Sequence, residues 1–586
     1  MTSKPAQPVA LEADAPRPLP RLARPPSVAD WIPTVSIPVD CEPAHFHEGL
    51  LQLVLYPEQS SSTILRAEIL DDEQDPADHL DLAGGDAQTR CPLTGYTCVR
   101  RVRRRVLPNR PQFDWAMEQE CLFYDKRGSE AGESEALVVL LPDFAQLDRD
   151  RGDQRLPYYH PQVYALAFRY LADHAGTSTS LRIDLVPLPS QPLLAPLPQN
   201  DRLFRTAQVL AKYAAKLCNG QAVGYQKRIH HDLLVGRTAV QDTYQRLKDK
   251  YQWMLHSWQE STDATKHVFE DVAIAAWLVT YWAEIYPDTE GKPPGGFVDV
   301  GCGNGLLVYI LAAEGYSGYG FDLRERKSWA SYTAPRPDLR VQSLNPVTLL
   351  PSALDHTDSE GASGSAESSD WPFPRDSFLI FNHADEMTPW CPLLAALTPG
   401  PRVGFLNIPC CLHELAGRFE RQTYTIPAAF LADLPPSQIA ADHPSADGSE
   451  AWRASLPDDL HPLLFPFYAA APLSYSKPAA KGATSAAAAS PTGDVSILGG
   501  RYHAYQLYLA HLTLRCDFVP AREALRIPST KNFGLVGGRA PRSPGGTGRD
   551  QEDVRDEVRQ LLAEVVRKGE WRARRPEGKA GERSGH

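Results

Sequence analysis

The 586-residue sequence contains no long apolar run: no stretch approaches the roughly eighteen apolar residues that a membrane-spanning helix needs. Met1 to Ala23 is proline-rich and lacks an apolar centre, so no secretory leader is expected. The ten cysteines are scattered and form no CxxC pair, which argues against a disulfide framework and fits reduced thiols inside a cell. No segment repeats at a fixed period, which excludes a solenoid or a propeller. Positive charge is not in excess either. The formal net charge is −12, so any nucleic-acid partner would have to be held by local basic patches.

What is present is enough for sizeable cores, at 42% hydrophobic residues, with 52 prolines and 40 glycines pointing to long loops and inserts. The length calls for two or three folded units. Residues 1–30 read as disordered and 31–200 as an α+β region. In that region Leu51–Leu55 and Ala136–Leu141 look like buried strands and Pro161–His174 like a helix. Helical periodicity dominates 201–290, with Phe269, Val272, Ala273, Ala276, Trp277, Thr280 and Tyr281 on one stripe. From 291 to 536 strands and helices alternate, the pattern of a parallel α/β sheet. Expected strands are Phe297–Val300, Tyr319–Asp322, Arg340–Leu344, Ser377–Phe381 and Arg402–Leu406, with Leu306–Ala313 helical and another helix after Cys410. Low-complexity inserts fall near 355–370 and 474–496. A helix then runs through Tyr505, Leu509 and Leu512, and short strands follow near Phe518 and Phe533–Val536. Residues 537–586 read as a linker, an amphipathic helix through Val554, Val558, Leu561, Leu562 and Val565, and a basic tail.

The strongest chemical signal is strand, then Asp299-Val300-Gly301-Cys302-Gly303-Asn304-Gly305, then helix, with Asp322 closing the next strand. The glycines let the backbone adopt positive φ and approach a ligand closely. The helix start offers unpaired N–H groups, and an acid about twenty residues on can accept from both ribose hydroxyls. A nicotinamide dinucleotide site would want G-x-G-x-x-G, but Leu306 stands where its third glycine belongs. The spacing points to S-adenosyl-L-methionine, which has no pyrophosphate to cradle. The expected donor-binding residues are Asp299, Gly301, Cys302, Gly303, Asn304, Gly305, Asp322 and Asn382.

Beyond the carboxyl ends of the strands, the glycine loop should meet Asn382-His383-Ala384-Asp385-Glu386 and Asn407-Ile408-Pro409-Cys410-Cys411. The first of these is not the Asn-Pro-Pro-aromatic pattern of exocyclic amine methylation, which tilts toward an oxygen acceptor. Adjacent Cys410 and Cys411, with His413, are poorly spaced for tetrahedral zinc, so packing is expected there and no metal. Cys91 with Cys98 reads the same way, and His230-His231 reads as helix–loop structure rather than a metal site.

Several stretches together resemble the tRNA (uridine-44) 2′-O-methyltransferases. They are Tyr225–Asp232, Tyr244–Lys248, Trp258–Asp263, Phe269–Ala276, Phe297–Leu307, Gly320–Lys327, Asn382–Trp390, Ile408–Cys411 and Leu525–Asn532. The resemblance implies a Rossmann-like class I fold, a doubly wound and mainly parallel seven-stranded sheet, with a family-specific N-terminal α+β region. It also implies methylation of a variable-loop uridine ribose in cytoplasmic serine tRNA. The 2′-hydroxyl is a poor nucleophile, so a base is expected, Asp385 first and His383 second. Phosphate contacts are expected from Arg100, Arg101, Arg103, Arg104 and Arg105, from Arg324 and Lys327, from Arg526 and Lys531, and from the basic tail. Two other readings stay open: a catalytically silent RNA-binding subunit, and a methyltransferase with a protein or small-molecule acceptor.

Overall fold

The computed structural model describes residues 6–12, 18–20, 30–76, 93, 95–126, 135–172, 178–191, 193, 196–225, 232–355, 371–427, 495–498, 501–538 and 551–569. The chain divides into two compact units, Met1–Gln226 and Lys227–His586. Among the described residues, no helix is long and apolar enough to cross a membrane.

The first unit is an eight-stranded antiparallel sheet. Its strands are β1 (Val9–Ala10), β2 (Ile32–Pro38), β3 (Ile64–Gln74), β4 (Tyr96–Pro108), β5 (Met117–Lys126), β6 (Glu135–Pro142), β7 (Val163–Ala172) and β8 (Thr179–Pro187). They lie in the order β1-β2-β8-β7-β6-β5-β4-β3. Helices α1 (Pro43–Leu55), α2 (Phe144–Arg151) and α3 (Arg202–Ala222) complete it. In α3 the stripe Phe204, Ala207, Ala211, Ala214 and Cys218 is buried with Phe46, Leu50 and Val54 of α1. The small side chains let the two helices approach closely. A Cβ added at Gly49 would lie 2.8 Å from the Cys218 backbone nitrogen.

Four expectations are corrected in this unit. Within Pro161–His174, Val163–Ala172 is strand β7, not a helix. It is buried on both faces, with Leu166, Phe168 and Tyr170 in one core and Tyr164, Ala165 and Ala167 in another. An apolar run without alternation carries no strand period to read. Leu51–Leu55 is the last part of α1, not a strand. Residues 1–30 are not wholly disordered, because Val9 and Ala10 pair with Ser36 and Val35, and the Trp31 indole N–H donates to the Pro20 carbonyl at 3.0 Å. The boundary between the units also falls inside the helical region expected for 201–290, since α3 packs with the first unit.

The second unit holds a seven-stranded mixed sheet. Its strands are β9 (Phe297–Val300), β10 (Gly318–Asp322), β11 (Asp338–Val341), β12 (Phe378–Asn382) and β13 (Gly404–Ile408). After the small β14 (His413–Glu414), β15 (Gly417–Arg418), β16 (Thr423–Ile426) and β17 (Val495–Leu498) come β18 (Val519–Ala524) and β19 (Phe533–Gly538). The sheet order is β11-β10-β9-β12-β13-β19-β18. The strands from β11 to β13 are mutually parallel, and only β19 runs against the rest. Helices α4 (Arg237–Tyr251), α5 (Ala264–Ile285) and α6 (Leu306–Ala313) share a core with one face. Helices α7 (Pro346–Asp355), α8 (Cys391–Leu397), α9 (Arg501–Arg515) and α10 (Gln551–Lys568) share the other core. The strand order reverses at β9 and β12, so the crevice beyond their carboxyl ends is where a ligand belongs.

No helix follows Cys410 within the described residues up to 427. The short hairpin β14–β15 stands there instead. The insert expected near 355–370 lies outside the described residues after Asp355, and the one near 474–496 lies outside them up to residue 494. His230, His231 and Cys91 also lie outside them.

Candidate active site

β9 ends at Val300, and the chain must reach α6 in five residues. Gly301, Gly303 and Gly305 take φ of 76°, 53° and 76°, the left-handed region where a side chain is costly. The Gly301 and Cys302 amides donate to the Phe321 carbonyl at 2.9 and 3.0 Å, tying the loop to β10. Asn304, just ahead of the N-cap Gly305, accepts through Oδ1 from the Leu306 amide at 2.7 Å, which satisfies the first amide of α6. Outside the loop, Trp329 Nε1 donates to the Gly303 carbonyl at 2.9 Å, while Ser328 Oγ and Tyr332 OH both donate to the Asn304 carbonyl at 2.8 Å. Of the three glycines, only Gly303 has no atom within 4 Å of a notional Cβ.

Asp322 closes β10 and accepts from the Gly303 amide at 3.0 Å, with the Arg326 guanidinium 3.5 Å away. Asp299 is 1% exposed and its Oδ1 has no hydrogen-bond partner. Burial, with Asp271 and Asp322 nearby, pushes its carboxyl well above the usual range. Cys302 contributes backbone, since burial and the neighbouring Asp299 push its thiol up.

Sequence reasoning missed two residues here. Glu270 and Asp271, on α5, are buried at 5% and 7% exposure within an otherwise apolar stretch. Asn382 Nδ2 reaches Asp271 Oδ1 at 3.5 Å, and burial next to Glu270 pushes the Asp271 carboxyl up to about 7. Two adjacent acids inside an apolar helix were the available signal. Their use depends on Asn382 and His383, more than a hundred residues away.

At the end of β12, His383 and Asp385 adopt positive φ of 54° and 46°, strained for residues with side chains. The His383 amide donates to the Ile408 carbonyl at 3.1 Å, and Asn407 Nδ2 donates to the Thr388 carbonyl at 2.8 Å. The β12 and β13 ends therefore meet, and the glycine loop reaches them at Ala384, whose Cβ would lie 3.8 Å from a Cβ on Gly301. His383 Nε2 lies 3.1 Å from Glu270 Oε1. Asp385 Oδ1 instead accepts from the Cys410 thiol at 3.2 Å. One ligand atom each from Asp385, Cys410 and Cys411 lies within 4.8 Å of the others, and His413 is not among them. Lys531 donates to the Cys410 carbonyl, and its charge helps lower the Cys411 thiol, after the larger effect of the Cys410 hydrogen bond. A resident ammonium competes with any cation there.

Of the expected phosphate contacts, Arg324 and Lys327 are exposed just past Asp322. Arg526 pairs with Asp232. The β4 arginines are engaged within their own unit, four of them across the sheet and Arg105 with Asp150 of α2. Arg100 pairs with Asp72, Arg101 with Glu120, Arg103 with Glu118 and Arg105 with Asp150, while Arg104 is buried against Gln119. Their density in sequence thus has a cross-strand origin in the acids of β3 and β5 and in Asp150. A shallow depression around Pro293–Phe297, Asp338 and Arg340 lies at the opposite, amino end of the strands.

A glycine loop between strand and helix, an acid closing the next strand, and a mixed sheet flanked by helices define a methyltransferase that uses S-adenosylmethionine. Residues 234–345 match the family described as "Predicted AdoMet-dependent methyltransferase", and residues 9–228 match "TRM44-like, N-terminal bet v1-like domain". A Neurospora crassa protein named tRNA (uracil-O(2)-)-methyltransferase is 34% identical over 522 residues, covering 87% of this chain and 86% of that one. A Schizosaccharomyces pombe protein of the same name is 39% identical over 385 residues, 64% of this chain and 71% of its own. No solved structure matches. The chain belongs to the tRNA (uracil-O(2)-)-methyltransferase family.

Proposed function

We propose that this protein methylates the ribose 2′-hydroxyl of a tRNA uridine, at position 44 of serine tRNA, with cytoplasmic tRNA as its pool. The observation that carries the reading is the left-handed glycine loop with Asp322 beside it, in a chain whose relatives are named tRNA (uracil-O(2)-)-methyltransferases. On this reading the sheet is the class I methyltransferase arrangement.

The buried, unpartnered Asp299 Oδ1 and the open space at Gly303 fit the methyl donor. Asp322 takes the ribose hydroxyls, and the loop from Gly301 to Gly305, Cys302 and Asn304 included, lines the nucleoside. Asp299, Asp271 and Asn382 would hold the donor's ammonium. Among the described residues, no lysine or arginine pairs with Asp271 or Asp299, so a ligand cation is the missing partner. When bound, the donor supplies a sulfonium methyl that is already electrophilic. The protein's task is alignment and proton removal.

His383 and Asp385 are the two acceptors that the site offers the hydroxyl proton. Arg324, Lys327, Arg526 and Lys531 hold phosphates on the second unit, and on the first unit the half-exposed Arg103 and Arg105 of β4 add what their ion pairs leave free. Donor-labelled methylation of total tRNA followed by nucleoside analysis tests the reading. 2′-O-methyluridine in serine tRNA is expected, while label in another nucleoside, in protein or in no acceptor overturns it.

A further inference from the structure

We infer that Glu270 is a positioning residue for the reaction: it fixes the His383 imidazole with its proton on Nε2, so that Nδ1 receives the proton of the ribose hydroxyl. The inference rests on the 2′-O-methylation reading and deepens it.

Four observations bear on it. Glu270 Oε1 and His383 Nε2 are 3.1 Å apart, and the carboxylate side chain is only 7% exposed. A buried carboxylate is an acceptor only, so the facing ring nitrogen must carry the hydrogen. Nδ1 is then a bare lone pair, and it has no hydrogen-bond partner in the protein although it is closed off from solvent. An orphaned buried acceptor costs about 1–3 kcal/mol. The side chain as a whole is 27% exposed, so the ring borders the crevice, and the hydroxyl reaches Nδ1 once the atoms that cover it move aside. Lastly, the backbone at His383 is held at φ of 54° while its amide is anchored to Ile408. Strain of that kind is retained where a side chain must be aimed.

Asp385 is less suited to the role. Its carboxylate already accepts from the Cys410 thiol. The other titratable groups packed around His383 are His267 and Asp271 on α5, beside Glu270. From the strand ends come Asp385 with Cys410 and Cys411, and Lys531 follows through the Cys410 carbonyl.

The proton balance closes. As the 2′-oxygen forms its bond to the methyl carbon, the carbon–sulfur pair returns to sulfur. The O–H bond breaks with its proton passing to Nδ1, and the resulting imidazolium is held by the Glu270 carboxylate. No other reactant is required.

The test joins a spectroscopic readout to kinetics on the full chain. With 15N-labelled histidine, the neutral His383 ring should be a single Nε2–H tautomer, identified by its loss in His383→Gln. Glu270→Gln should give a mixture of tautomers. It should also lower kcat by about 10²-fold, move the acidic limb of the kcat profile to lower pH, and leave donor affinity by calorimetry within about twofold at pH 8, where Asp271 is ionised with or without Glu270 beside it. Glu270→Asp should restore part of kcat, and Asp385→Asn should keep the limb. A Glu270→Gln protein with wild-type kcat and tautomer, or a limb that survives His383→Gln but vanishes in Asp385→Asn, overturns the inference. If the wild-type protein makes no 2′-O-methyluridine, the function reading falls instead, while the tautomer still reports on the pair.

Discussion

On the proposed reading of the site, Asp271 is the residue whose protonation governs donor capture. Its carboxyl sits at about 7 because burial and Glu270 disfavour the charged form. Below that pH it holds a proton and offers a cation nothing. Above it the charge is present and uncompensated. Donor affinity is therefore expected to rise by about tenfold between about pH 6 and pH 8. Calorimetry across that range checks it, and Asp271→Asn should flatten the dependence, leaving only what Asp299 contributes. If affinity does not change with pH in the wild-type protein, the ammonium lies elsewhere.

At the scale of elements, the glycine loop separates two uses of one residue type. Gly305→Ala is expected to cost about 1–3 kcal/mol, because φ is 76° and the new Cβ would stand 2.7 Å from Leu339 Cδ1. Gly303→Ala, at φ of 53° in open space, should cost only about 1 kcal/mol yet weaken the donor more. Denaturant melts and calorimetry on the pair distinguish the two roles. In β7, Arg169 is 1% exposed and lies between Glu135 and Asp184. Removing it leaves two buried acids short of a partner, so Arg169→Ala is expected to lose about 3–5 kcal/mol in a urea titration.

These elements also show what could be read in advance. The loop glycines were legible because a bend that tight needs positive φ whatever surrounds it. So were β9, β10 and β12, which are short apolar runs bounded by glycine or polar residues. Strand β7 was not, because its two buried faces erase alternation and Arg169 is neutralised by Glu135 and Asp184 from neighbouring strands. The ion pairs of the β4 arginines were not legible either, because their partners sit on β3, on β5 and at Asp150, out of view of a local reading. Glu270 and Asp271 were hidden for the same reason: the fold alone brings Asn382 and His383 to them.

For the whole molecule, a net charge of −12 leaves tRNA affinity to a few local cations. If Arg324 and Lys327 each neutralise a phosphate, replacing both with alanine should reduce the slope of log affinity against log salt by about 1–2. Filter binding of tRNA at several salt concentrations measures it, and an unchanged slope removes them from the interface.

One architectural detail reaches further. The two strands that finish the sheet, β18 and β19, are encoded after residue 500, far downstream of the strand they cover. A fragment ending near residue 430 would retain the entire glycine bend, yet it would leave Gly404–Ile408 as a raw border of unsatisfied amides and carbonyls. It would also lose the Glu523 carboxylate that receives the amides of Asp232, Leu233 and Leu234. Such a shortened protein is expected to clump with its own copies along that border, and it would lose Arg526 and Lys531 as well, so trimming this enzyme from its C-terminal side costs solubility and the proposed phosphate grip together while the bend itself stays whole.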